Sequence, residues 1–272
     1  MNDLTGSSTP KPPRLVKKRS PFEGMLRVVQ FNWPLYAAAS AAVLVLALLA
    51  AQPLFSGPLQ FVLISIAFLV ALQTLLSLLA SHWVYDCSAL SDWRFLREVS
   101  FGSGQQPGLR KMRIITVHSG YDESSGALHQ IFANAEIDTI DLFSALGARE
   151  PSIIKARKLY PPITKSLCES ISDWPVADAS VDLILIAFAA HELRDQQKRE
   201  LLFRQASQVL KSDGRIILVE HVRDLANYIA FGAGFMHFMP LPEWLRCASA
   251  ANLSIAKQYR ITPLVVVLEL CR

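Results

Sequence analysis

The sequence predicts an α/β domain with a mostly parallel sheet and an antiparallel edge, preceded by a two-helix apolar hairpin of membrane-spanning length. Three observations predict it. Between Val28 and Tyr85 the chain carries no Asp, Glu, Lys or Arg. Beyond Leu109, short β-rich runs alternate with helical stretches, the pattern of βαβ units. The last two runs follow one another with little between them, as antiparallel neighbours do.

The N-terminal part is read first. Residues 1–22 are rich in Ser, Thr, Pro, Lys and Arg, a composition too polar to form a core, so a disordered basic tail is expected over 1–27. Lys11, Arg14, Lys17, Lys18, Arg19 and Arg27, set against Asp3 and Glu23, account for the whole formal net charge of +4. The remainder is neutral, which argues against a nucleic-acid partner. Residues 28–85 form the predicted transmembrane hairpin. Leu35–Ala51 and Leu59–Ala80 are almost wholly apolar, and Gln52–Pro58 has turn composition. A bilayer core about 30 Å thick takes about 20 apolar residues per helix. Trp33 and Tyr36 at one end, and Trp83 and Tyr85 at the other, suit the interfaces. A signal peptide would be shorter and would not be followed at once by a second apolar run. Basic residues flank both outer ends of the hairpin, and the turn has none, so both termini are expected on the cytoplasmic side of a bacterial inner membrane. The bilayer is the expected partner, with a further pull of the tail toward anionic lipid.

Residues 86–108 read as a linker with a short helix near Asp92–Val99 and a Gly/Ser/Gln-rich joint at Phe101–Gly108. The domain is expected over 109–272. Its predicted strands are Met112–His118, Glu136–Leu142, Val181–Ala189, Arg215–Glu220, Ser254–Arg260 and Leu264–Leu270. Helices are expected from Ser124 to about Phe132, over Pro151–Tyr160 with Pro at its first position, over Gln196–Leu210 and over Glu243–Ala251. Ser212-Asp213-Gly214 reads as a tight stop between helix and strand. The four cysteines, Cys87, Cys168, Cys247 and Cys271, are scattered without CxxC spacing, which excludes a zinc ribbon or a disulfide framework built on them.

In open parallel sheets, ligands bind beyond the carboxyl ends of the strands, so the residues following each strand are the site candidates. Two stretches there carry a resemblance. Trp174-Pro175-Val176-Ala177-Asp178-Ala179-Ser180-Val181-Asp182-Leu183 resembles the approach to the fourth strand of class I S-adenosylmethionine-dependent methyltransferases, a Rossmann-like fold. Gln208-Val209-Leu210-Lys211-Ser212-Asp213-Gly214 is similar to that family's segment before the fifth strand. Ala190-His191-Glu192-Leu193-Arg194-Asp195, and Glu220-His221-Val222-Arg223-Asp224-Leu225 followed by Gly234-Phe235-Met236-His237-Phe238, look like a membrane-tethered branch of it. The resemblance covers about Leu109–Arg272. It implies S-adenosylmethionine as cofactor, a glycine loop after the first strand, and an acidic ribose-binding residue after the second.

That family's loop has several glycines, which let the backbone approach the cofactor. Here Gly120 is followed by Tyr121, Asp122, Glu123 and Ser124, so only one glycine is kept. Two readings stand: Asp122 and Ser124 cap a helix, with Glu123 favouring its positive end, or an acidic side chain of the loop engages the cofactor's amino group. Asp141 fits the ribose position, against a plain strand-end turn Asp. The adenine side maps onto Ser170–Trp174, beside Glu169.

The chemistry candidates are two His–Glu pairs, His191-Glu192 and Glu220-His221. Either imidazole could serve as a base toward a methyl acceptor, oriented by a glutamate. Arg194, Arg223 and His237 are the substrate candidates, the arginines for an anionic group. A structural polar network bridging two loops is the competing reading. No metal ligand set is assigned. The greasy stretch Tyr228–Pro240 suits a lipid-like acceptor, a dip into the bilayer, or core packing. The expected function is therefore transfer of a methyl group to a small or lipophilic acceptor. The alternatives are an inactive methyltransferase-like scaffold and a metal-dependent enzyme with His and Glu ligands.

Overall fold

The computed structural model describes residues 19–99, 111–162 and 165–272. The expected disorder of residues 1–18 and the joint at Phe101–Gly108 lie outside the described residues.

The hairpin is present as two apolar helices, and a shorter helix precedes it. Helix α1 (Glu23–Phe31) ends at Asn32, whose side chain donates to the Val28 carbonyl at 3.0 Å. The boundary drawn at 27 therefore falls inside a helix: Glu23 and Arg27 pair one turn apart, and Asp86 accepts from the Gly24 and Met25 amides. Helices α2 (Trp33–Ala50) and α3 (Pro58–His82) run 18 and 25 residues, each with Pro in its first turn. Both are long and apolar enough to cross a bilayer, with mean hydropathies of 2.0 and 2.5 over their apolar windows. Their outer faces expose Leu44, Leu48, Phe61, Phe68, Leu69 and Leu75.

The sheet has six strands: β1 (Arg113–His118), β2 (Glu136–Asp141), β3 (Val181–Ala187), β4 (Leu210–His221), β5 (Ser254–Thr262) and β6 (Val265–Cys271). Their order is β2-β1-β3-β4-β6-β5. The first four are parallel, with Val117 beside Ile140 and Ile186, and Ile186 beside Leu218. β6 runs antiparallel to both β4 and β5. The mostly parallel sheet and its antiparallel edge thus match the expected fold class. The segment at Cys168 contributes one bridge to Ile140 rather than a strand.

Both faces of the sheet are covered, so β3 is buried from Val181 to Ile186. On one face, Ile115, Val117, Ile184 and Ile216 pack with Leu202, Phe203 and Trp244 of helices α6 (Gln196–Val209) and α8 (Leu241–Ala250). Asp195 caps α6, accepting from the Gln197 and Lys198 amides. On the other face, Ile114, Leu185 and Ile217 meet helix α4 (Ser125–Ile131) and the segment that follows the hairpin.

That segment corrects the linker expected at 86–108. A π-turn at Trp83–Cys87 and a 3₁₀ turn at Arg94–Glu98 carry Val84, Leu90, Trp93, Phe95, Leu96 and Val99 into the core. The sheet face needs an apolar cover, and this stretch supplies it beside α4. Trp93 accepts a left-handed backbone, φ 57°, to reach that place. A second correction concerns Ser212-Asp213-Gly214, which lies within β4 rather than ending an element. The ladder to β3 shifts register there, and a side chain on Gly214 would press on the Asp182 carbonyl at 3.0 Å.

Helix α7 (Leu225–Phe231) and the 3₁₀ turn Gly232–His237 connect β4 to α8, and α7 lies against α3. Gln73, midway along α3, donates to the Ala230 carbonyl at 3.1 Å. Gly232, at φ 55°, lets the turn approach Gln73 closely. Helix α5 (Pro151–Leu159) comes after β2 and touches α1.

If the stretch after the hairpin is core, truncating it should cost as a core truncation does. Leu96 is fully buried. Leu96→Ala is expected to lower the unfolding free energy by about 2–5 kcal/mol, read by denaturant unfolding of the full chain in detergent. A change under about 0.5 kcal/mol would make the stretch the loose linker that composition suggests.

Candidate cofactor and acceptor site

The carboxyl ends of β1, β2, β3 and β4 lie along one edge, and the site is built from the residues just past each strand. β1 ends at His118, paired in register with Asp141 at the end of β2. Ser119 and Gly120 turn the chain, Gly120 at φ 104°, where a Cβ would stand 2.6 Å from the Phe143 ring. Only glycine suits that position. Asp122 accepts from the Ser124 and Ser125 amides at 3.1 and 3.0 Å. Ser124 Oγ is buried against Thr116 Oγ1 at 2.7 Å. Asp122 therefore serves the start of α4, while Ser124, at the N-cap position, makes no side-chain bond to the helix amides. Glu123 is the acidic side chain of this loop outside that cap. Burial raises its carboxyl above the usual range, while Arg19 and Arg27 pull the other way.

Asp141 is 1% exposed. Its Oδ1 accepts from the Phe143 amide at 3.0 Å, and its Oδ2 is paired with Arg157. His118 Nδ1 accepts from the Gly120 amide at 3.3 Å, which puts the ring proton on Nε2. That buried Nε2 has no partner among the described residues. Burial lowers the His118 pKa, although Asp141 opposes the shift, so the ring is neutral with an orphaned donor.

A lid covers this half. Arg27 of α1 donates to the Tyr121 hydroxyl, and Phe31 packs edge-on against Tyr121 and Tyr160, at centroid distances of 5.3 and 5.8 Å. Arg149 and Arg157 both lie over the Phe143 ring. On the expected adenine side, buried Trp174 donates to the Ser170 carbonyl at 3.2 Å, and Glu169 lies 3.9 Å from Arg157.

At the other half, the His–Glu pairs recombine. His191 Nδ1 lies 2.6 Å from Glu220 Oε2, so each pair contributes one partner to the contact. Glu220, 1% exposed, also accepts from the Ala190 and His191 amides through Oε1. Glu192 Oε1 stands 3.2 Å from His191 Nε2 and 3.0 Å from His237 Nε2. Burial disfavours charge on His191, but the Glu220 and Glu192 carboxylates raise its pKa to about 10. Burial likewise works against the Glu192 carboxylate, yet hydrogen bonds from His191 and His237 hold its pKa far below the usual range.

The other candidates are placed differently. His221 Nδ1 lies 2.9 Å from the Leu264 carbonyl, so it donates there, and Nε2 accepts from the Tyr85 hydroxyl at 3.0 Å. The ring stacks on Phe238 at 4.8 Å. Burial pushes its pKa down to about 4. With both nitrogens engaged, His221 ties the segment after α3 to the sheet edge. Arg223 donates to the Phe238 and Met236 carbonyls at 2.9 and 2.7 Å, and Arg194 to the His237 carbonyl at 2.7 Å. Both arginines hold the loop that carries His237. The structure thus gathers His191, Glu192, Glu220, Arg194 and His237, and sets Gly120, Glu123 and Asp141 in the neighbouring half. Sequence reasoning missed Arg27, Tyr85, Phe143 and Arg157. Each acts across 16 or more residues, except Phe143, which sits two beyond Asp141. No spacing rule reveals the other three.

An open, mostly parallel sheet, with a positive-φ glycine and a buried carboxylate after its first two strands, defines a Rossmann-like domain. Residues 119–218 match the sequence model of a family described as a methyltransferase domain. The chain is similar in fold to a SAM-dependent methyltransferase from Aquifex aeolicus, at 16% identity over 69% of this chain and 94% of that one, TM-score 0.46. It is similar to a geranyl diphosphate C-methyltransferase from Streptomyces coelicolor A3(2), solved with Mg2+, geranyl diphosphate and S-adenosyl-L-homocysteine, at 15% identity over 67% and 79%, TM-score 0.46. It is also similar to an O-methyltransferase family 2 protein from Planctomyces limnophilus complexed with apigenin, at 15% over 74% and 62%, TM-score 0.49. No curated protein sequence matches the chain. Residues 119–218 thus carry a likeness to a methyltransferase domain, and S-adenosylmethionine is the cofactor consistent with that likeness.

The residues fit that cofactor by type. Gly120 turns the chain at a positive φ against Phe143, Asp141 offers a carboxylate for hydroxyl groups, and the orphaned His118 Nε2–H offers a donor for an oxygen. Arg157 competes for Asp141. Its side chain is 26% exposed, and Glu169 is near enough to take it over. Such a partly exposed pair contributes up to about 1 kcal/mol. Arg157→Ala is therefore expected to bind S-adenosylhomocysteine about five-fold more tightly in calorimetry. Weaker binding would instead make Arg157 a cofactor contact.

His221 gives a pH prediction. Its pKa falls from about 6.5 unfolded to about 4 folded, so the unfolded chain binds the proton first. Its contribution to stability is complete above pH 6.5 and is lost as pH falls toward 4, up to about 3 kcal/mol. His221→Gln should flatten the stability profile between pH 6.5 and 4 relative to wild type, measured by urea unfolding. Parallel profiles would rule out a neutral buried imidazole.

Proposed function

We propose that the chain is an S-adenosylmethionine-dependent methyltransferase, anchored in a bacterial inner membrane by α2 and α3 with its termini cytoplasmic, that methylates a lipophilic acceptor taken from the bilayer. The observation that carries the reading is the docking of α7 and its following turn on α3. Gln73 stands nearly three turns inside the Trp83 end of α3, about 15 Å along the axis. The segment fastened to it exposes Leu225, Tyr228, Ile229 and Met236. An apolar surface held at that depth on an apolar helix suits contact with acyl chains. The same segment ends in His237, so one continuous stretch runs from the expected lipid contact to the acceptor half of the site. Arg19 and Arg27 before the hairpin, and Arg94 and Arg97 after it, support the orientation.

S-adenosylmethionine, when bound, supplies a methyl group on a positively charged sulfur. Gly120, His118 and Asp141 hold it on this reading, with Glu123 available to its amino group. His191 and Glu192, oriented by Glu220, bound the acceptor, and Phe231 and Phe238 exclude water. The loop clamps Arg194 and Arg223 position His237. Much of the rate then comes from proximity of acceptor to methyl group.

A second reading, a scaffold that no longer binds cofactor, is favoured by the Arg157–Asp141 pair, by the use of Asp122 in the cap and by the pairing of Ser124 with Thr116. Full-length protein in lipid nanodiscs, given methyl-labelled S-adenosylmethionine and a bacterial lipid extract, separates the two. Label is expected in the organic-soluble fraction. Asp141→Ala removes two charge-assisted hydrogen bonds and should weaken cofactor binding by about a hundred-fold. Wild-type protein that binds no S-adenosylmethionine would leave the scaffold. Transfer only to water-soluble acceptors would remove the lipid role.

A further inference from the structure

We propose that His191, Glu192 and His237 form a binding site for a divalent zinc-type cation. The three side chains come from two 3₁₀ turns, Ala190–Glu192 and Gly232–His237, and are the described His/Cys/Asp/Glu group whose ligand atoms lie within 4.8 Å of one another. Both imidazoles direct Nε2 at the same oxygen, Glu192 Oε1, at 3.2 and 3.0 Å. The rings are 5.1 Å apart and near perpendicular, at 80°. Bonds of 2.0–2.1 Å to a tetrahedral zinc set neighbouring ligand atoms about 3.4 Å apart, so a small expansion admits the ion.

The support around these ligands has the same character. His191 Nδ1 meets Glu220 at 2.6 Å, and His237 Nδ1 lies 3.4 Å from Glu150 Oε1. Glu220 behind His191 fixes the tautomer that leaves its Nε2 free to ligate, while at His237 the Arg194 guanidinium also meets Nδ1 and must turn away before Glu150 takes that proton. Glu220 is buried and anchored by two backbone amides, so this arrangement is rigid on the His191 side. Each Nδ1 proton given to a carboxylate leaves an Nε2 lone pair facing the Glu192 oxygen. Two lone pairs and a carboxylate repel unless positive charge lies between them, as protons or as a metal ion. One divalent cation satisfies all three groups together. Two imidazoles and a carboxylate suit zinc, and the same ligand set also accepts other first-row divalent cations such as iron(II).

Arg194 is the internal competitor. Its Nη2 lies 2.9 Å from His237 Nε2 and 3.8 Å from Glu150. At 37% side-chain exposure it can turn outward. Three protein ligands then leave a fourth position for water or an oxygen ligand. Use of that position by an acceptor oxygen rests on the transferase reading; binding of the metal does not.

The test is metal binding by full-length protein in detergent. Chelator-stripped protein is titrated with Co2+, as a spectroscopic probe, and with Zn2+ in competition. One equivalent is expected, with the visible absorption of tetrahedral Co2+ lost on adding Zn2+. Glu192→Gln and His237→Ala should each abolish the absorption, and Glu220→Gln should weaken affinity 10–100-fold at unchanged stoichiometry. Arg194→Ala should bind more tightly. Melting of each metal-free variant reports its folding, and His237 on a surface turn is the variant that stays folded. No stoichiometric binding by wild type, or binding retained by folded His237→Ala, overturns the proposal. Metal binding without methyl transfer would sink the transferase reading alone.

Discussion

The parallel pairing of β2, β1, β3 and β4 is the constraint on which the rest of the molecule depends. It brings four carboxyl ends to one edge, so His118, Asp141, the turn after Ala187, and Glu220 become neighbours although their segments span more than a hundred residues. Parallel strands of this kind are joined by crossovers that lie on the sheet faces, so both faces are covered. Helices α6 and α8 supply one face. The other is completed by the stretch after α3, and this cover makes the apolar hairpin part of the domain's own packing.

Cover and site are linked through buried polar groups. Tyr85, within that covering stretch, donates to His221, and His221 donates in turn to Leu264. Asp86, one residue on, caps α1 through two amides. Helix α1 then reaches over Tyr121 with Arg27. A chain of contacts therefore runs from the end of α3 to both halves of the site: to the glycine loop through α1, and to the acceptor half through His221 and Phe238. Each link is a hydrogen bond at least partly shielded from water, where an unmade partner is costly, so the parts hold a common geometry.

How much of this was legible in the sequence depends on the range of each interaction. The apolar hairpin and the strands reveal themselves by composition, and β3 especially, because a strand buried on both faces reads as an unbroken apolar run. Asp141 and the His–Glu pairs were found because the fold puts function just after strands. The pairing partners were not legible. Nothing near His191 announces that Glu220, rather than Glu192 alone, orients it across 29 residues. Nothing near His221 points to Tyr85, 136 residues earlier. Over 86–99 the expected linker was misread because its polar residues dominate the composition, while Leu90, Trp93 and Leu96 decide its place. The stop at Ser212-Asp213-Gly214 was misread because glycine there serves close backbone approach to Asp182, which in sequence looks the same as a turn.

The two halves of the site differ in how they store charge, and this difference bears on function. In the cofactor half, Arg157 and Arg27 neutralise the carboxylate and cover the loop, so binding must displace protein partners from Asp141. In the acceptor half, Glu220 and Glu192 close on two imidazoles, and the cationic partner within reach is Arg194 on a partly exposed side chain. On the proposed reading a ribose would offer Asp141 hydroxyl donors in place of Arg157, neutral where the guanidinium is charged. At Glu192 the replacement must carry charge, because two imidazoles and a carboxylate converge on one point. On the proposed reading, a methyl donor bearing positive sulfur would enter an edge whose other half already gathers carboxylates around two imidazoles.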